Sequence, residues 1–333
     1  MIENPIFIVG TERSGSNLLR LILNELPDVA VPHPPHLMRD LTKVIGRYGD
    51  LKDDARFRKL IEDAAKLVEL HFAPWPIAID TEQVFQDTAA ARTLYSVYAA
   101  IYEQYRRYTG KARWACKSTF MVHHVDEILA HHKKPQFIHL VRDPRDVAVS
   151  ARHSVFSYYH PYYVARLWRH EQRLGIAAGV RLPEDQWTTL RYEDLVRNPQ
   201  KEIERICKFL RQPFSNDLLR FFEKPAAQEL SSLSRSWSNV AMPIIKDNSE
   251  KYLEELTPAE ISLIESMCGV VMRHFGYKIG TRALLPVSPL KKASYFLQEE
   301  WMTLVEEAKA LVKDDNARAR LKKRAFLFSL RFR

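Results

Sequence analysis

The chain has 333 residues, of which 46% are apolar and 27% are charged, with 18 Pro and 10 Gly. This composition excludes a fibrous or a disordered protein, and the length suits one α/β domain with added helices. The net charge is +9, but seven Arg or Lys and no acid lie in 316–333. Most of the excess positive charge therefore belongs to this tail, and it does not indicate a nucleic-acid function of the whole chain.

The three cysteines, Cys116, Cys207 and Cys268, are widely spaced and form no CxxC pair. This argues against a disulfide framework and a cysteine-built zinc site, and it favours a reducing compartment. The first residues lack the basic segment and cleavage site of a signal peptide, and no stretch approaches 18 uninterrupted apolar residues. We therefore expect a soluble, cytoplasmic protein.

The first predicted element is a buried strand over 5–9 that ends at Gly10. A continuous apolar run of this length is typical of a strand covered on both faces of its sheet. After a short loop, Leu and Ile at helical spacing over 16–26 predict a helix that stops before Pro27. The chain therefore begins as strand, glycine-containing loop and helix.

Three further strands are predicted, and each runs into a polar side chain: 113–116 into Lys117, 136–141 into Arg142, and 186–191 into Tyr192. Helices are predicted near 53–71, over 86–108, 123–132, from Pro144 onward, 199–210 and 291–311. Strands that alternate with helices predict an α/β fold with a central parallel sheet flanked by helices. Such sheets bind ligands at the carboxyl ends of their strands.

The loop from Gly10 to Gly15 has the GxxxxG spacing of a phosphate-binding loop and lies between a strand and a helix, as such a loop must. The next pair is Ser16-Asn17 instead of the Lys-Ser or Lys-Thr that contacts nucleoside triphosphate and magnesium, which disfavours an ordinary ATPase. Backbone N–H groups, the helix N-terminus and Arg13 can still hold an anion.

A second anion site is predicted in the segment LVRDPRDVAVS, 140–150. It places Arg142 at the end of a strand and Ser150 two turns into the following helix. Two phosphate sites at one sheet edge, without a set of magnesium ligands, indicate a nucleotide that carries phosphates at two places.

These segments resemble the sulfotransferases that use 3′-phosphoadenosine 5′-phosphosulfate (PAPS). PIFIVGTERSGSNLLR is similar to the family's phosphosulfate loop, LVRDPRDVAVS to its 3′-phosphate motif, and RYEDLVRNPQKEIERICKFL to the stretch that follows. The resemblance runs over about 5–280. It implies the P-loop-NTPase-like sulfotransferase fold for 1–282, followed by a helical, basic C-terminal extension, 283–333.

The resemblance also implies roles for individual residues. The 5′-phosphosulfate would be held by Arg13, Ser14, Gly15, Ser16, Asn17 and Leu18, and the 3′-phosphate by Arg142 and Ser150. Tyr192 would lie near the adenosine, Lys117 would stabilise the sulfuryl group, and a late loop with Ser236 and Lys246 would close over the cofactor. The implied reaction moves a sulfuryl group from PAPS to a hydroxyl or amine and leaves adenosine 3′,5′-bisphosphate (PAP), with no metal.

The general base is predicted in the segment Val31-Pro-His33-Pro-Pro-His36. Many relatives have a Glu near this place and other branches use a His, so this chain departs from the commoner pattern. A neutral imidazole with an ordinary pKa near 6.5 can accept a proton at physiological pH. We favour His33, then His36; the alternative is a rigid proline loop that lines the acceptor site, with the base elsewhere.

Two other functions remain open at this stage: a P-loop kinase of nucleotides or small molecules, and a non-catalytic protein that binds anions or membranes through its tail. The expected acceptor is a small molecule such as a steroid, lipid alcohol or phenol, with a glycan or a peptide tyrosine as alternatives. No nucleic-acid partner is expected, whereas peripheral membrane contact through the tail and a homodimer stay open. The histidines at 123–124 and 131–132 have wider spacing than a helical zinc pair, which predicts a solvated helix face and no metal.

Overall fold

The computed structural model describes residues 4–154, 157–233, 235–246, 248–281, 287–313 and 316–332, except for the side chains at 235, 236, 238 and 311–313. Five strands form one parallel sheet in the order β2-β3-β1-β4-β5. Their bounds are β1 Ile6–Gly10, β2 Val29–Ala30, β3 Arg113–Cys116, β4 Gln136–Val141 and β5 Trp187–Arg191. The predicted α/β fold and four predicted strands are confirmed; β2 is too short to leave a pattern.

The sheet is surrounded by helices, which we number in chain order. They are α1 Ser16–Asn24, α2 Leu37–Leu41, α3 Asp54–Glu69, α4 Thr81–Asp87, α5 Leu94–Thr109, α6 Val125–His131, α7 Pro144–Arg152, α8 Pro161–Arg181, α9 Tyr192–Arg197, α10 Pro199–Leu210, α11 Pro225–Leu233, α12 Tyr252–Glu255, α13 Pro258–His274, α14 Pro289–Lys313 and α15 Ala317–Ser329. Short 3₁₀ helices occur at Ile45–Tyr48, Thr119–His124, Asn216–Glu223, Arg235–Ala241 and Leu330–Phe332.

Two predicted helices are wrong in their extent. The helix predicted over 86–108 is two helices, because Thr93 caps α5 and exchanges hydrogen bonds with Ser96 in a capping box. The helix predicted over 123–132 begins as a 3₁₀ helix and becomes α6 only at Val125. The histidine face in this region is not solvated as predicted, because His124 and His132 are buried.

The strands are apolar because both faces of the sheet are covered. Along β1, Phe7 and Val9 join the core on one face, whereas Ile6 and Ile8 join the core on the other. Because β1 pairs in parallel with β3 and β4, its carboxyl end and the loop that follows lie at the edge of the sheet where β3 and β4 also end.

The C-terminal extension packs on the rest of the protein. Leu330 is buried in the same core as Phe7, and Phe326 and Leu327 pack against that core. Asn316 Nδ2 donates a hydrogen bond to Leu233 O at 2.6 Å. The predicted division at 282/283 lies outside the described residues and stays a prediction. None of the described helices is both long and apolar enough to span a bilayer.

Candidate active site

The loop between β1 and α1 requires glycine at its first position. Gly10 has a φ of 136°, and a Cβ atom on it would lie 2.3 Å from Leu140 O of β4. Farther along, Arg13 has a φ of 65° and Gly15 has a φ of 89°. These left-handed conformations fold the loop so tightly that Ser16 begins α1 at the wall of a large cavity.

Two polar atoms of this loop region lack hydrogen-bond partners among the described residues. They are Ser14 Oγ and Asn17 Oδ1, and both are buried. Buried polar atoms are nearly always hydrogen-bonded in folded proteins. Together with the N-terminus of the nine-residue helix α1, they leave hydrogen-bonding capacity for a bound anionic group.

Arg13 joins this loop to the second predicted anion site. Its Nε donates to Ser150 Oγ of α7 at 3.2 Å, and its carbonyl accepts a hydrogen bond from Arg142 Nη1 at 3.1 Å. Burial lowers the pKa of Arg13 to about 10, so its guanidinium remains charged at neutral pH. The structure therefore brings together the two predicted anion sites, although 129 residues separate Arg13 from Arg142.

Arg142 is held by its neighbours but keeps one donor free. Nη2 donates to Asn248 O at 3.3 Å, and the guanidinium lies 4.4 Å from the centre of the Tyr192 ring. The buried Nε has no hydrogen-bond partner within the described part of the chain. The Tyr192 ring also packs so closely on Gly15 that a Cβ atom there would lie 2.4 Å from the ring.

Lys117 follows β3 and reaches the same cavity, with 8% of the residue exposed. Burial, followed by the positive charge of Arg20, lowers the pKa of Lys117 to about 7. An ammonium group in this position is poorly solvated and is stabilised when an anion binds beside it.

The predicted base segment also lines the cavity, through His33 and His36. His33 is buried, and neither of its ring nitrogens has a hydrogen-bond partner among the described residues. Its carbonyl accepts a hydrogen bond from Trp75 Nε1 at 2.8 Å, which anchors the backbone. His36 Nδ1 instead lies 3.2 Å from Ser118 Oγ. Burial and the charge of Lys117 hold the pKa of His33 well below its ordinary value, so the ring is neutral at pH 7.

A third histidine, His71, is a cavity residue that the sequence did not reveal. Its ring centre lies 4.9 Å from that of His33 and 6.4 Å from that of His36. Burial, then the charge of Lys323, lowers the pKa of His71 to about 3. His71 follows α3 in a segment with no motif, so the sequence alone gives no indication that this histidine is a functional residue. Only the tertiary structure places it at the cavity.

The late loop meets the prediction only in part. Lys246 is exposed and does not line the cavity, and the side chain of Ser236 lies outside the described residues. Asn248 is the residue of this loop that reaches the site: its carbonyl binds Arg142 and its Nδ2 donates to the Tyr192 hydroxyl. The ring centre of Trp237 lies 5.5 Å from that of His33, so Trp237 lines the cavity beside His33.

The cavity has a volume of about 1440 Å³. Typical ligand pockets measure about 300–1,000 Å³, so this one has room for a nucleotide and a second molecule. Its lining includes the loop, Arg142 and Tyr192 as well as His33, His36, His71 and residues of the two C-terminal helices. The contribution of α14 and α15 was not predicted. Across the described residues, no group of three or more His, Cys, Asp or Glu could hold a metal ion.

Comparison with known proteins adds an independent finding. Residues 5–216 match the model of a protein family described as "Sulfotransferase family". The match includes both loops of the cavity, Lys117 and the histidine segment, and it ends before α14 and α15.

Curated relatives agree with this match. The chain is 24% identical over 337 residues to the protein named "Carbohydrate sulfotransferase 1" of Rattus norvegicus, with 84% of this chain and 80% of that protein covered. It is 25% identical over 259 residues to "Protein-tyrosine sulfotransferase" of Drosophila melanogaster, which covers 75% of this chain and 47% of that protein.

The fold is also shared with a solved structure, the "Sulfotransferase Domain from the Curacin Biosynthetic Pathway". The TM-score is 0.58 at 21% identity, with 84% of this chain and 99% of that domain covered. At this identity the likeness shows the fold alone.

Proposed function

The chain belongs to the sulfotransferase family, and from that premise we propose that it transfers a sulfuryl group from PAPS to an acceptor hydroxyl or amine. The observation that carries the proposal is the bridge made by Arg13. This residue binds Ser150 through its side chain and Arg142 through its carbonyl, so two anion sites lie at a fixed separation. A nucleotide with phosphates at two places fits such a pair of sites.

The residues present suit the two charged ends of PAPS. We assign the 5′-phosphosulfate to the loop Arg13–Leu18, whose buried Ser14 Oγ and Asn17 Oδ1 have no hydrogen-bond partner among the described residues. We assign the 3′-phosphate to Arg142 and Ser150, because Arg142 Nε, unpartnered within the described part of the chain, provides a charge-assisted donor. Tyr192 stacks on Arg142 beside Gly15, where the nucleoside would lie between the two sites.

PAPS supplies an electrophilic sulfur whose bond to the phosphate oxygen breaks as a bond to the acceptor oxygen or nitrogen forms, leaving PAP. Negative charge then grows on the departing phosphate. Arg13 and Lys117 are the cations placed to stabilise that charge, which makes their contribution larger in the transition state than in the ground state. The acceptor proton must pass to a base that also lines the cavity.

We propose His33 as that base. Neither of its ring nitrogens has a side-chain hydrogen-bond partner among the described residues, whereas Nδ1 of His36 lies 3.2 Å from Ser118 Oγ. Burial and Lys117 keep the His33 ring neutral, and hence able to accept a proton, before the acceptor binds. The anionic cofactor would offset the nearby positive charges as the proton arrives.

For the acceptor, we propose a small-molecule alcohol with an apolar or aromatic body. The lining of the cavity includes Phe72, Trp237, Leu321 and Phe328, which favour such a body. A glycan or a tyrosine side chain is the second candidate, because relatives are named for carbohydrate and protein-tyrosine acceptors.

The first test is calorimetric titration with PAP and, separately, with ATP and magnesium. We expect PAP to bind selectively, after which an acceptor screen with ³⁵S-labelled PAPS identifies the substrate. A folded protein that binds no PAP, or that prefers magnesium-ATP, would overturn the assignment of the cavity and favour the kinase alternative.

The second test addresses the base. His33→Gln should lower turnover by about 10²–10⁴-fold, the usual contribution of a positioned general base, with little change in PAP affinity. His170→Gln is the matched control, since His170 is exposed on α8 and does not line the cavity. Near-normal turnover of His33→Gln would exclude His33 as the base.

A further inference from the structure

The helix α15 lies about one hundred residues beyond the end of the family match, yet it forms a wall of the cavity. It is held there by Phe326, Leu327 and Leu330 in the core and by the ion pair between Arg324 and Glu307 of α14. Nothing in the family match assigns it a role.

One side chain of α15 reaches the segment that carries the candidate base. Lys323 Nζ donates a hydrogen bond to Pro35 O at 2.9 Å and lies 2.8 Å from Asp40 Oδ2. The pair is well covered, with 14% of the Lys323 side chain and 7% of the Asp40 side chain exposed. Arg39 Nε completes the arrangement by donating to the other oxygen of Asp40 at 3.2 Å.

The position of these contacts along the chain matters. Pro35 lies between His33 and His36, and Asp40 is in α2, which begins directly after His36. His36 has a φ of 61°, a left-handed conformation that costs a non-glycine residue free energy and persists only when its surroundings hold it. Lys323 therefore contacts the chain on both sides of the strained residue, through the backbone carbonyl of Pro35 before it and the side-chain carboxylate of Asp40 after it.

Lys323 also acts on the charge of the histidines. After burial, its ammonium is among the causes that hold the pKa of His36 well below the ordinary value, together with Arg39 and Lys117. For His71 it is the largest cause after burial. A cation at this place disfavours protonation of the His36 and His71 rings before the acceptor binds.

We infer that Lys323 is a positioning residue for the sulfotransferase reaction: it ties the C-terminal helix to the His33–His36 segment and holds that segment at the acceptor side of the cavity. This inference rests on the proposed function for its kinetic consequence, but the tie itself is a property of the fold. It makes α15 part of the active site instead of an accessory tail.

The test compares Lys323→Met with Lys322→Met in the full-length protein. Methionine retains most of the unbranched side chain and removes the ammonium group, and Lys322 is exposed and does not line the cavity. Hydrogen exchange read by mass spectrometry should show the amides of 33–42 exchanging about tenfold faster or more in Lys323→Met, while β1 and the 10–18 loop are unchanged. Lys322→Met should match the wild type throughout.

The kinetic arm separates positioning from cofactor binding. We expect Lys323→Met to lower kcat by about tenfold to a hundredfold, as for a displaced catalytic group, while PAP affinity stays within about twofold of the wild type. Lys323→Arg should restore part of the loss because it can again contact both Pro35 O and Asp40.

The two arms fail in different ways. Unchanged exchange over 33–42 in Lys323→Met, or faster exchange spread equally over β1, would overturn the tie. If Lys323→Met is too unstable to purify, Asp40→Asn keeps the Pro35 contact and should loosen 37–42 alone; an unaltered exchange pattern there would also overturn it. Local loosening in a protein that never sulfonates an acceptor would instead refute the proposed function and leave the tie standing.

Discussion

Arg142→Met tests whether the second anion site recognises the 3′-phosphate. Methionine retains much of the apolar stem but removes the guanidinium, and with it the free Nε donor and the contacts to Arg13 O and Asn248 O. The variant should therefore lose a phosphate contact and also loosen its surroundings, and the two effects must be separated.

The expected loss of PAP affinity follows from the strength of a hydrogen bond between charged partners. A hydrogen bond between charged partners contributes about 1.5–3 kcal/mol. At about 1.4 kcal/mol per factor of ten, this predicts PAP affinity weakened by about 10–150-fold. The lost hydrogen bonds to the two carbonyls affect any nucleotide that uses the site, with or without a 3′-phosphate.

The assay is therefore a cycle of two proteins and two ligands. PAP and adenosine 5′-phosphate are titrated calorimetrically into the wild type and into Arg142→Met, with Arg181→Met, exposed on α8, as the control. We expect the wild type to prefer PAP and the variant to lose about 1.5–3 kcal/mol of that preference, because adenosine 5′-phosphate lacks only the 3′-phosphate.

An equal loss for both ligands would refute the reasoning, since it would show that Arg142 supports the loop without contacting the 3′-phosphate. The same conclusion would follow if the wild type bound the two nucleotides equally well.

Three further predictions follow from the structure. Because the pKa of Lys117 is lowered to about 7, its amine is increasingly neutral above pH 7 and must take up a proton when an anion binds beside it. PAP affinity should therefore fall above pH 7, by up to about tenfold per pH unit, and Lys117→Met should flatten this dependence in calorimetry. Gly10→Ala should lower the free energy of unfolding by about 1–3 kcal/mol or more, because φ is 136° and Leu140 O lies 2.3 Å from the new Cβ. Gly46→Ala is the control, since its new Cβ meets nothing within 4 Å. Equal melting temperatures of the two variants would contradict this prediction. Phe328 and Phe332 are 59% and 74% exposed beside basic residues. We expect the double variant Phe328→Ser/Phe332→Ser to sediment less with phosphatidylserine vesicles than the wild type or the Val180→Ser control. No binding of these vesicles by the wild type would refute membrane contact through the tail.

Much of the cofactor end of the cavity could be predicted from the sequence, because each of its parts is local. An apolar strand followed by Gly10, a helical stripe from Ser16, and a strand that ends at Arg142 are patterns of a few consecutive residues. Parallel strands bring their carboxyl ends to one edge of the sheet. Arg13, Lys117 and Arg142 therefore line one cavity, as their positions after β1, β3 and β4 predict.

The acceptor end depended on the tertiary structure. The contact between Lys323 and Pro35 spans 288 residues, and His71 meets His33 only because α3 packs beside the HPPH segment. No local periodicity encodes such contacts, since each arises from the packing of whole helices on the core. The composition of 316–333 revealed a basic tail, but the burial of Leu330 and the ion pair of Lys323 with Asp40 decided that this tail closes the cavity. The sequence by itself thus determined the fold class and predicted which residues form the proposed anion sites, whereas long-range packing of apolar side chains decided what surrounds the proposed acceptor site.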